Sequence, residues 1–186
     1  QNLEFFTPQT ETVIAGNLVM DNNAVDAPEQ AAGAIGMGIV IGSGTDNVIY
    51  RNRVMGHAYV GIGITMLDDF DPVGNRVEGN VTTGNAVDLG YWVLGGSTDI
   101  GGNCFTGNTF DTSSPADIES VMPCPAVAGN LDAPLVPPLN SPKGPKYGDV
   151  PAPPAQPTMP GDVTSFAPRP AFVEPSLDSI TVPDAP

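Results

Sequence analysis

The amino-acid sequence predicts an all-β fold, a parallel β-helix of about four rungs followed by an extended proline-rich C-terminal tail. Three observations predict it: a repeat of 28 residues, apolar residues that alternate with period two within each repeat, and a change from glycine-rich to proline-rich composition near residue 123. Alternation with period two is typical of strands that turn one face towards a core. No stripe of apolar residues at helical spacing competes with this interpretation.

The repeat is carried by six-residue segments that begin and end with asparagine, at 47–52, 75–80 and 103–108. A related segment at 12–17 precedes the first of these by 35 residues, and the extra residues fall in 21–34, which we interpret as a loop insertion. Alignment gives two inner columns, Ile14, Ile49, Val77, Phe105 and Val19, Val54, Thr82, Phe110, and a later apolar-x-apolar step at 39–41, 62–64 and 87–89. One rung cannot bury its own inner face, so the rungs are expected to stack about 4.8 Å apart.

Asparagine recurs at one corner of every predicted rung. Its side chain tolerates the left-handed conformation of a tight turn and carries both donors and an acceptor. Amides one rung apart are therefore expected to hydrogen-bond along the stack. The predicted ladder is Asn17, Asn52, Asn80 and Asn108, and a looser second ladder is Asn22, His57 and Asn85.

The pattern N-x-φ-x-x-N-x-φ-x-x-N…G-φ-x-φ, where φ is an apolar residue, resembles the repeat of the right-handed parallel β-helix proteins of the pectin-lyase-like superfamily. The segments NVIYRNRVMGHAYVGIGI (47–64) and NRVEGNVTTGNAVDL (75–89) carry the resemblance, which covers about residues 10–112. It implies the fold and leaves function open, because that superfamily includes lyases, glycosidases, epimerases, surface proteins and phage fibres.

Composition divides the chain into a β-helix with its cap, residues 1–124, and an extended tail, residues 125–186. Residues 1–122 hold 18 of the 22 glycines, and residues 123–186 hold 17 of the 21 prolines. Cys104 and Cys124 are expected to form a disulfide that pins the segment 113–124 over the last rung, stabilising it by roughly 3 kcal/mol. The tail is expected to lie along the β-helix or on a neighbouring subunit, and its sequence favours neither.

A formal net charge of −15 argues against nucleic-acid and membrane-surface partners, because such a surface repels phosphates and anionic lipids. No apolar run is long enough to span a membrane. The predicted disulfide and the scarcity of lysine indicate a secreted or cell-surface protein. Residues 2–6 already read as a strand, so we expect the upstream part of a longer precursor, or another copy in a homo-oligomer, to cover this end.

Two groups of side chains are candidates for ligand binding. Asp68, Asp69 and Asp71 are a candidate Ca²⁺ site, since Ca²⁺ binds several carboxylate oxygens, or else a solvated acidic loop. No other cofactor is expected. Tyr91 and Trp92 are a candidate platform for stacking against a carbohydrate, or else packing residues beneath a loop or the tail.

The chain carries no recognisable catalytic set. His57 is its only histidine, and Gly56-His57-Ala58 departs from the Gly-His-Gly motif of polygalacturonase-like members of the superfamily. We therefore expect a non-catalytic extracellular structural or adhesion module, part of a larger precursor or of an oligomeric or filamentous assembly. The alternatives are the C-terminal part of a polysaccharide lyase or glycosidase, and a polysaccharide-binding module without turnover.

Overall fold

A computed structural model describes residues 9–24, 35–66, 70–93, 99–127, 129–131, 146–149, 151, 173 and 175–186. The predicted strand at 2–6, most of the predicted loop insertion and most of the proline-rich tail lie outside these residues. Short strands dominate the described part of the chain, and they are β1 (Val13–Ala15), β2 (Leu18–Met20), β3 (Met37–Gly42), β4 (Val48–Tyr50), β5 (Arg53–Met55), β6 (Val60–Thr65), β7 (Arg76–Glu78), β8 (Val81–Thr83), β9 (Val87–Trp92), β10 (Cys104–Thr106) and β11 (Ser113–Ser114). They are followed by one helical turn, α1 (Ile118–Val121), and by 3₁₀ turns at Tyr147–Asp149 and Leu177–Ser179.

These strands form three parallel sheets, in the orders β1-β4-β7-β10, β2-β5-β8 and β3-β6-β9-β11. In the first sheet Val13 pairs with Val48, 35 residues on, and the next two steps, from Val48 to Arg76 and from Arg76 to Cys104, are each one 28-residue repeat. The chain therefore passes through each sheet once per rung, which confirms a parallel β-helix. In the fourth rung a bridge between Val81 and Thr109 stands in place of a strand of the second sheet.

The register of the third sheet corrects one sequence alignment. Ile62 pairs with Leu89, and Val87 pairs with Val60, two residues away from the predicted match of Ile62 with Val87. Both registers place apolar residues on the same face, because a shift of two residues preserves the alternation of a strand. The observed register places Tyr91 beside Ile64.

The core runs along the axis of the coil. Residues of the first predicted column, Ile49, Val77 and Phe105, are almost completely buried and form one cluster with inward residues of the other two sheets. A smaller cluster covers the other face of the third sheet and contains Val40, Tyr59, Val60 and Trp92. The six-residue strands of this sheet are consequently buried on both faces.

The corners of the coil use left-handed backbone. Positive φ recurs at three corners of the coil. The first corner has Glu11, Asp46, Gly74 and Gly102, the second has Gly16, Arg51, Gly79 and Gly107, and the third has Asp21, Gly56 and Gly84. Glycine adopts this conformation without steric cost and Asp tolerates it, whereas most side chains lose about 1–2 kcal/mol. Each of the left-handed residues at these three corners precedes a residue at an amide-ladder position, so the corner and the ladder recur together.

The last rung is closed by α1 and the segment after it. Ile118 and Met122 are fully buried against the core, and the Phe105 N–H donates to the Met122 carbonyl at 2.8 Å. The disulfide between Cys104 and Cys124, with a Cα–Cα distance of 5.1 Å, holds this segment on the rung. The predicted disulfide and its position in the cap are both present.

Candidate functional site

The predicted asparagine ladder is continuous through the four rungs. The side-chain amides of Asn17, Asn52 and Asn80 donate to the Oδ1 atom of the next asparagine at 3.0, 3.0 and 2.9 Å. The backbone N–H groups of the same residues donate to the same Oδ1 atoms at 2.8–2.9 Å. The Oδ1 atoms of Asn52, Asn80 and Asn108 therefore each receive two hydrogen bonds from the rung before, and these asparagine-to-asparagine bonds all run towards the C-terminal end.

A second ladder, which was not predicted from the repeat, follows Asn47, Asn75 and Asn103. Asn47 Nδ2 donates to Asn75 Oδ1 at 2.9 Å, and Asn75 Nδ2 donates to Asn103 Oδ1 at 2.8 Å. The signal for this ladder was the asparagine that opens each 28-residue repeat. Two amide ladders thus flank the first sheet on both sides.

The third corner differs from its prediction. The His57 backbone N–H donates to Asn85 Oδ1 at 2.9 Å, and His57 Nδ1 lies 2.9 Å from the same oxygen. Because that oxygen can only accept, Nδ1 carries the proton. Asn22 does not join them: it is exposed and its Nδ2 donates to the Met37 carbonyl. The shorter ladder reflects the exposure of the first rung at this corner.

Carboxylates end two of the ladders. Glu119 Oε1 accepts the backbone N–H and Nδ2 of Asn108 at 2.7 and 2.8 Å. Asp88 Oδ1 accepts the corresponding groups of Asn85 at 3.1 and 2.8 Å. The end of a ladder presents unpaired donors, as the N-terminus of a helix does, and a negative acceptor is the strongest partner for them. Both acidic residues therefore serve the closed end of the coil.

His57 is buried beside the core. Its side chain is 1% exposed, and Nε2 is the one buried side-chain polar atom of the described residues that has no hydrogen-bond partner. Burial lowers the pKa of His57, and the hydrogen bond to Asn85 and the charge of Asp21 only partly oppose this effect. A neutral imidazole in this position acts as a ladder residue and has no access to a substrate.

The candidate aromatic platform is buried. Tyr91 is 1% exposed and its hydroxyl donates to the Asp99 carbonyl at 3.0 Å, while Trp92 is 4% exposed and packs edge-on against Tyr59. Burial raises the pKa of Tyr91 to about 12; a hydrogen bond with Asn103 opposes this shift. Neither ring presents a face to solvent, so of the two roles predicted for Tyr91 and Trp92 the burial agrees with packing.

The candidate Ca²⁺ site falls mostly outside the described residues. Asp68 and Asp69 are not described, and Asp71 is exposed. Within the described part of the chain, no group of three or more His, Cys, Asp or Glu side chains is arranged to hold a metal ion. Ca²⁺ binding by these three residues remains a prediction.

The two ends of the described coil differ. In the first rung Ile14 and Val19 are only half-buried, whereas their register partners Ile49 and Val54 are buried completely. Asn17 is exposed, and its Oδ1 accepts no hydrogen bond from the described residues. The N-terminal face therefore presents an acceptor and apolar side chains, and the C-terminal face is closed by α1.

A stretch of the C-terminal segment lies on the outside of the first two rungs. Arg51 Nη1 donates to the Ile180 carbonyl and Arg53 Nε donates to the Pro183 carbonyl, both at 2.6 Å. Ile180 and Pro183 are half-buried there. This part of the predicted tail packs on its own β-helix.

An open groove of about 480 Å³ lies on the outer face of β4, β7 and β10. Arg76, Glu78 and Thr106 line it together with the disulfide. Arg76 and Glu78 form an exposed ion pair at 3.2 Å. The groove offers hydrogen-bonding groups and no aromatic ring.

A family model described as periplasmic copper-binding protein (NosD) matches residues 5–121, about three fifths of the chain. The chain belongs to the NosD family. This is a right-handed parallel β-helix family of the pectin-lyase-like superfamily, which confirms the resemblance and the fold predicted from the repeat. No curated protein and no solved structure matches the chain significantly.

The family description agrees with the predicted location outside the cytoplasm. Among the described helices of this NosD-family chain, none has the length and apolar character needed to cross a membrane.

The copper named in the family description has no evident ligand set in the described residues. The single histidine of this NosD-family chain is buried, and its Nδ1 carries a proton and faces Asn85. Both cysteines are joined in the disulfide, which leaves no thiolate for a soft metal. Among the described residues, His57 Nδ1 and the two cysteines are therefore unavailable to copper, and no group of three or more His, Cys, Asp or Glu side chains is placed to hold a metal ion.

Proposed function

We propose that this chain is a non-catalytic extracellular structural module that closes the C-terminal end of a longer β-helix assembly. The observation that carries the proposal is the contrast between its two faces. Donors of all three ladders point towards the C-terminal end, where two carboxylates and the Ile100 carbonyl receive them. The N-terminal face of the described coil carries Asn17 Oδ1, an acceptor that a further asparagine rung would satisfy.

The polarity of the ladders favours one kind of occupant for this face. A rung stacked on Asn17 must offer a backbone N–H and a side-chain amide donor to Asn17 Oδ1. Asn17 itself offers the same two donors to Asn52 Oδ1. In a second copy the corresponding donors belong to Asn108 and are already bound by Glu119. Head-to-tail stacking of copies is thus disfavoured, and an upstream rung of the same precursor fits better than a filament of this chain alone.

Light scattering at increasing protein concentration tests the proposal. Without an upstream rung, the half-buried apolar side chains of this face are expected to make two chains associate weakly, face against face and not head to tail. The association should be stronger at 0.5 M salt, where the repulsion between chains of charge −15 is screened. Leu18→Lys alters a side chain in the first rung that is already 43% exposed, so it should suppress association without unfolding the coil. The matched control is Val121→Lys, which changes a residue that is 40% exposed at the closed end.

A chain that stays monomeric at millimolar concentration in high salt would contradict an assembly role for the N-terminal face. Association abolished equally by both substitutions would place the contact elsewhere. Turnover of polygalacturonate, followed by the release of reducing ends, would contradict the absence of catalysis.

Polysaccharide binding without turnover is a second candidate, and the open groove on β4, β7 and β10 favours it. The Arg76–Glu78 pair offers the donors and acceptors that sugar hydroxyls require. Glycan-array binding that is lost in Arg76→Ala would support this function, and an array without signal would remove it.

A further inference from the structure

The C-terminal segment reaches back over about 130 residues of sequence to contact the first two rungs. Ile180 has extended backbone, with φ −78° and ψ 129°, and its Cγ2 lies 3.0 Å from the position that a Cβ would occupy on Gly16. Any side chain larger than hydrogen at Gly16 would displace Ile180. The first rung thus offers a close-packed apolar contact, and the second rung offers two guanidinium groups.

Arg51 pays a conformational cost at this position. It has φ +49°, whereas the same corner in the other rungs is Gly16, Gly79 and Gly107. A long side chain in left-handed backbone is strained, and such strain persists where the surroundings or a function retain it. Within the rung, Arg51 contacts the Tyr50 ring at 4.8 Å, a contact between neighbours in sequence. Its contact with the distant Ile180 carbonyl is the one that gives this strained arginine a role.

The placement of positive charge points the same way. Residues 1–122 contain three basic side chains, Arg51, Arg53 and Arg76. Two of them donate to carbonyl oxygens of the C-terminal segment, and the third is paired with Glu78. The match to the NosD family ends at residue 121, so the segment that these two arginines bind lies beyond the part shared with the family.

We propose that Gly16, Arg51 and Arg53 form a peptide-docking site whose occupant is Ile180–Pro183 of this chain, and that the docked segment acts as a clasp on the first two rungs. The site takes extended peptide. It binds two backbone carbonyls that are three residues apart and one branched apolar side chain. It tolerates proline because both arginines donate to carbonyl oxygens and neither contacts a backbone N–H. The proposal does not depend on the assembly proposed above.

¹⁵N relaxation on the full chain tests the clasp. A docked segment should give amide order parameters at Ile180, Thr181 and Val182 near 0.85, as in rigid backbone. In the double variant Arg51→Gly/Arg53→Ala, these values should fall below about 0.6, as in flexible segments. Arg76→Ala is the matched control, because it removes the remaining arginine of the β-helix and should leave the three amides ordered.

A second variant separates docking from a purely local role of the arginines. Ile180→Asp leaves both arginines in place and should free the segment to the same extent as the double variant. Combining Ile180→Asp with the arginine changes should add no further mobility. Amide exchange in β1 and β2 should quicken at least several-fold in each variant, because the clasp no longer covers the first rung.

Each alternative outcome would overturn the proposal. Order parameters below 0.6 for these amides in the unaltered chain would mean that the segment is not docked. Ordered amides in the arginine double variant would mean that other contacts hold it. Unchanged exchange in β1 and β2 upon release would remove the role as a clasp. Light scattering reports separately on the proposed assembly, so the two proposals can fail independently.

Discussion

Asn80→Ala tests whether the ladder holds the rungs together. Asn80 is fully buried, and its Oδ1 accepts the backbone N–H and Nδ2 of Asn52 at 2.8 and 3.0 Å. Alanine leaves the Asn52 backbone N–H and one of the two Nδ2 hydrogens without an acceptor in a place that water does not reach, while Nδ2 keeps its bond to the Ile14 carbonyl at 2.9 Å. Each unsatisfied buried group costs about 1–3 kcal/mol, so we expect a loss of about 3–6 kcal/mol once the lost amide donors are included.

Asn17→Ala is the matched control at the exposed end. It removes a donor to Asn52 Oδ1, which still accepts the Asn17 backbone N–H, and it leaves no buried donor unpaired. The expected loss is below about 1 kcal/mol. A third variant, Asn80→Asp, keeps the acceptor for Asn52 but places a carboxylate against Asn108 Oδ1, so it separates the acceptor role from the donor role.

Urea unfolding followed by the fluorescence of Trp92, the single tryptophan, measures these differences. With a slope of about 2–3 kcal/mol per molar urea, Asn80→Ala should lower the midpoint by at least about 1 M. Circular dichroism should give the same midpoint if unfolding is two-state. Equal midpoints for Asn80→Ala and Asn17→Ala would refute the reasoning, because burial and ladder position would then make no difference.

Three further outcomes follow from the closed end and the third corner. Reducing the Cys104–Cys124 disulfide, or replacing both cysteines by serine, should lower the free energy of unfolding by about 3 kcal/mol, measured by urea unfolding with and without reductant. Glu119→Ala should cost about 2–3 kcal/mol in the same assay and Glu119→Gln clearly less, because glutamine keeps an acceptor for Asn108 and loses only the charge; equal losses would contradict a ladder-capping role. Because the pKa of His57 is lowered in the folded chain, the unfolded chain takes up a proton first as the pH falls. His57 therefore leaves the free energy of unfolding unchanged above about pH 6.5 and lowers it below that pH, by up to about 1.4 kcal/mol per pH unit. His57→Asn should remove that decline from a pH series of unfolding midpoints, and an unchanged pH dependence would show that His57 is not its source.

The parts of the fold that repeat were predictable from the sequence. Ile49, Val77 and Phe105 share an inner column because strand alternation and the 28-residue step both place them there. The Asn17–Asn108 ladder was predictable for the same reason. The Asn47–Asn103 ladder had the same signal, and assigning it required knowing that its backbone also turns a left-handed corner, at Asp46, Gly74 and Gly102.

The errors arose where local patterns have two solutions. The segments 87–89 and 89–91 are both apolar-x-apolar, so the alternation allowed either to match 62–64. The turn before β9 has three residues and the turn before β6 has four. The alternation of apolar residues does not reveal this difference. The predicted inward step ended at Leu89, which left Tyr91 as a candidate for an aromatic platform, whereas β9 extends to Trp92 and Tyr91 packs in the core.

The ends of the ladders obey no repeat, and so they required the structure. Glu119 lies 11 residues after Asn108 and Asp88 lies three after Asn85, so no column of the alignment contains both. Glu119 and Asp88 share a negative charge and a position. Each accepts hydrogen bonds from the backbone N–H and the side-chain amide that would otherwise donate to the asparagine of a further rung. Because every ladder has the same polarity, acidic side chains suit the C-terminal end alone, and a carboxylate placed at Asn17 would face the next rung's acceptor. The direction of the amides thus determines which end of the coil can be closed by charge and which can accept another rung.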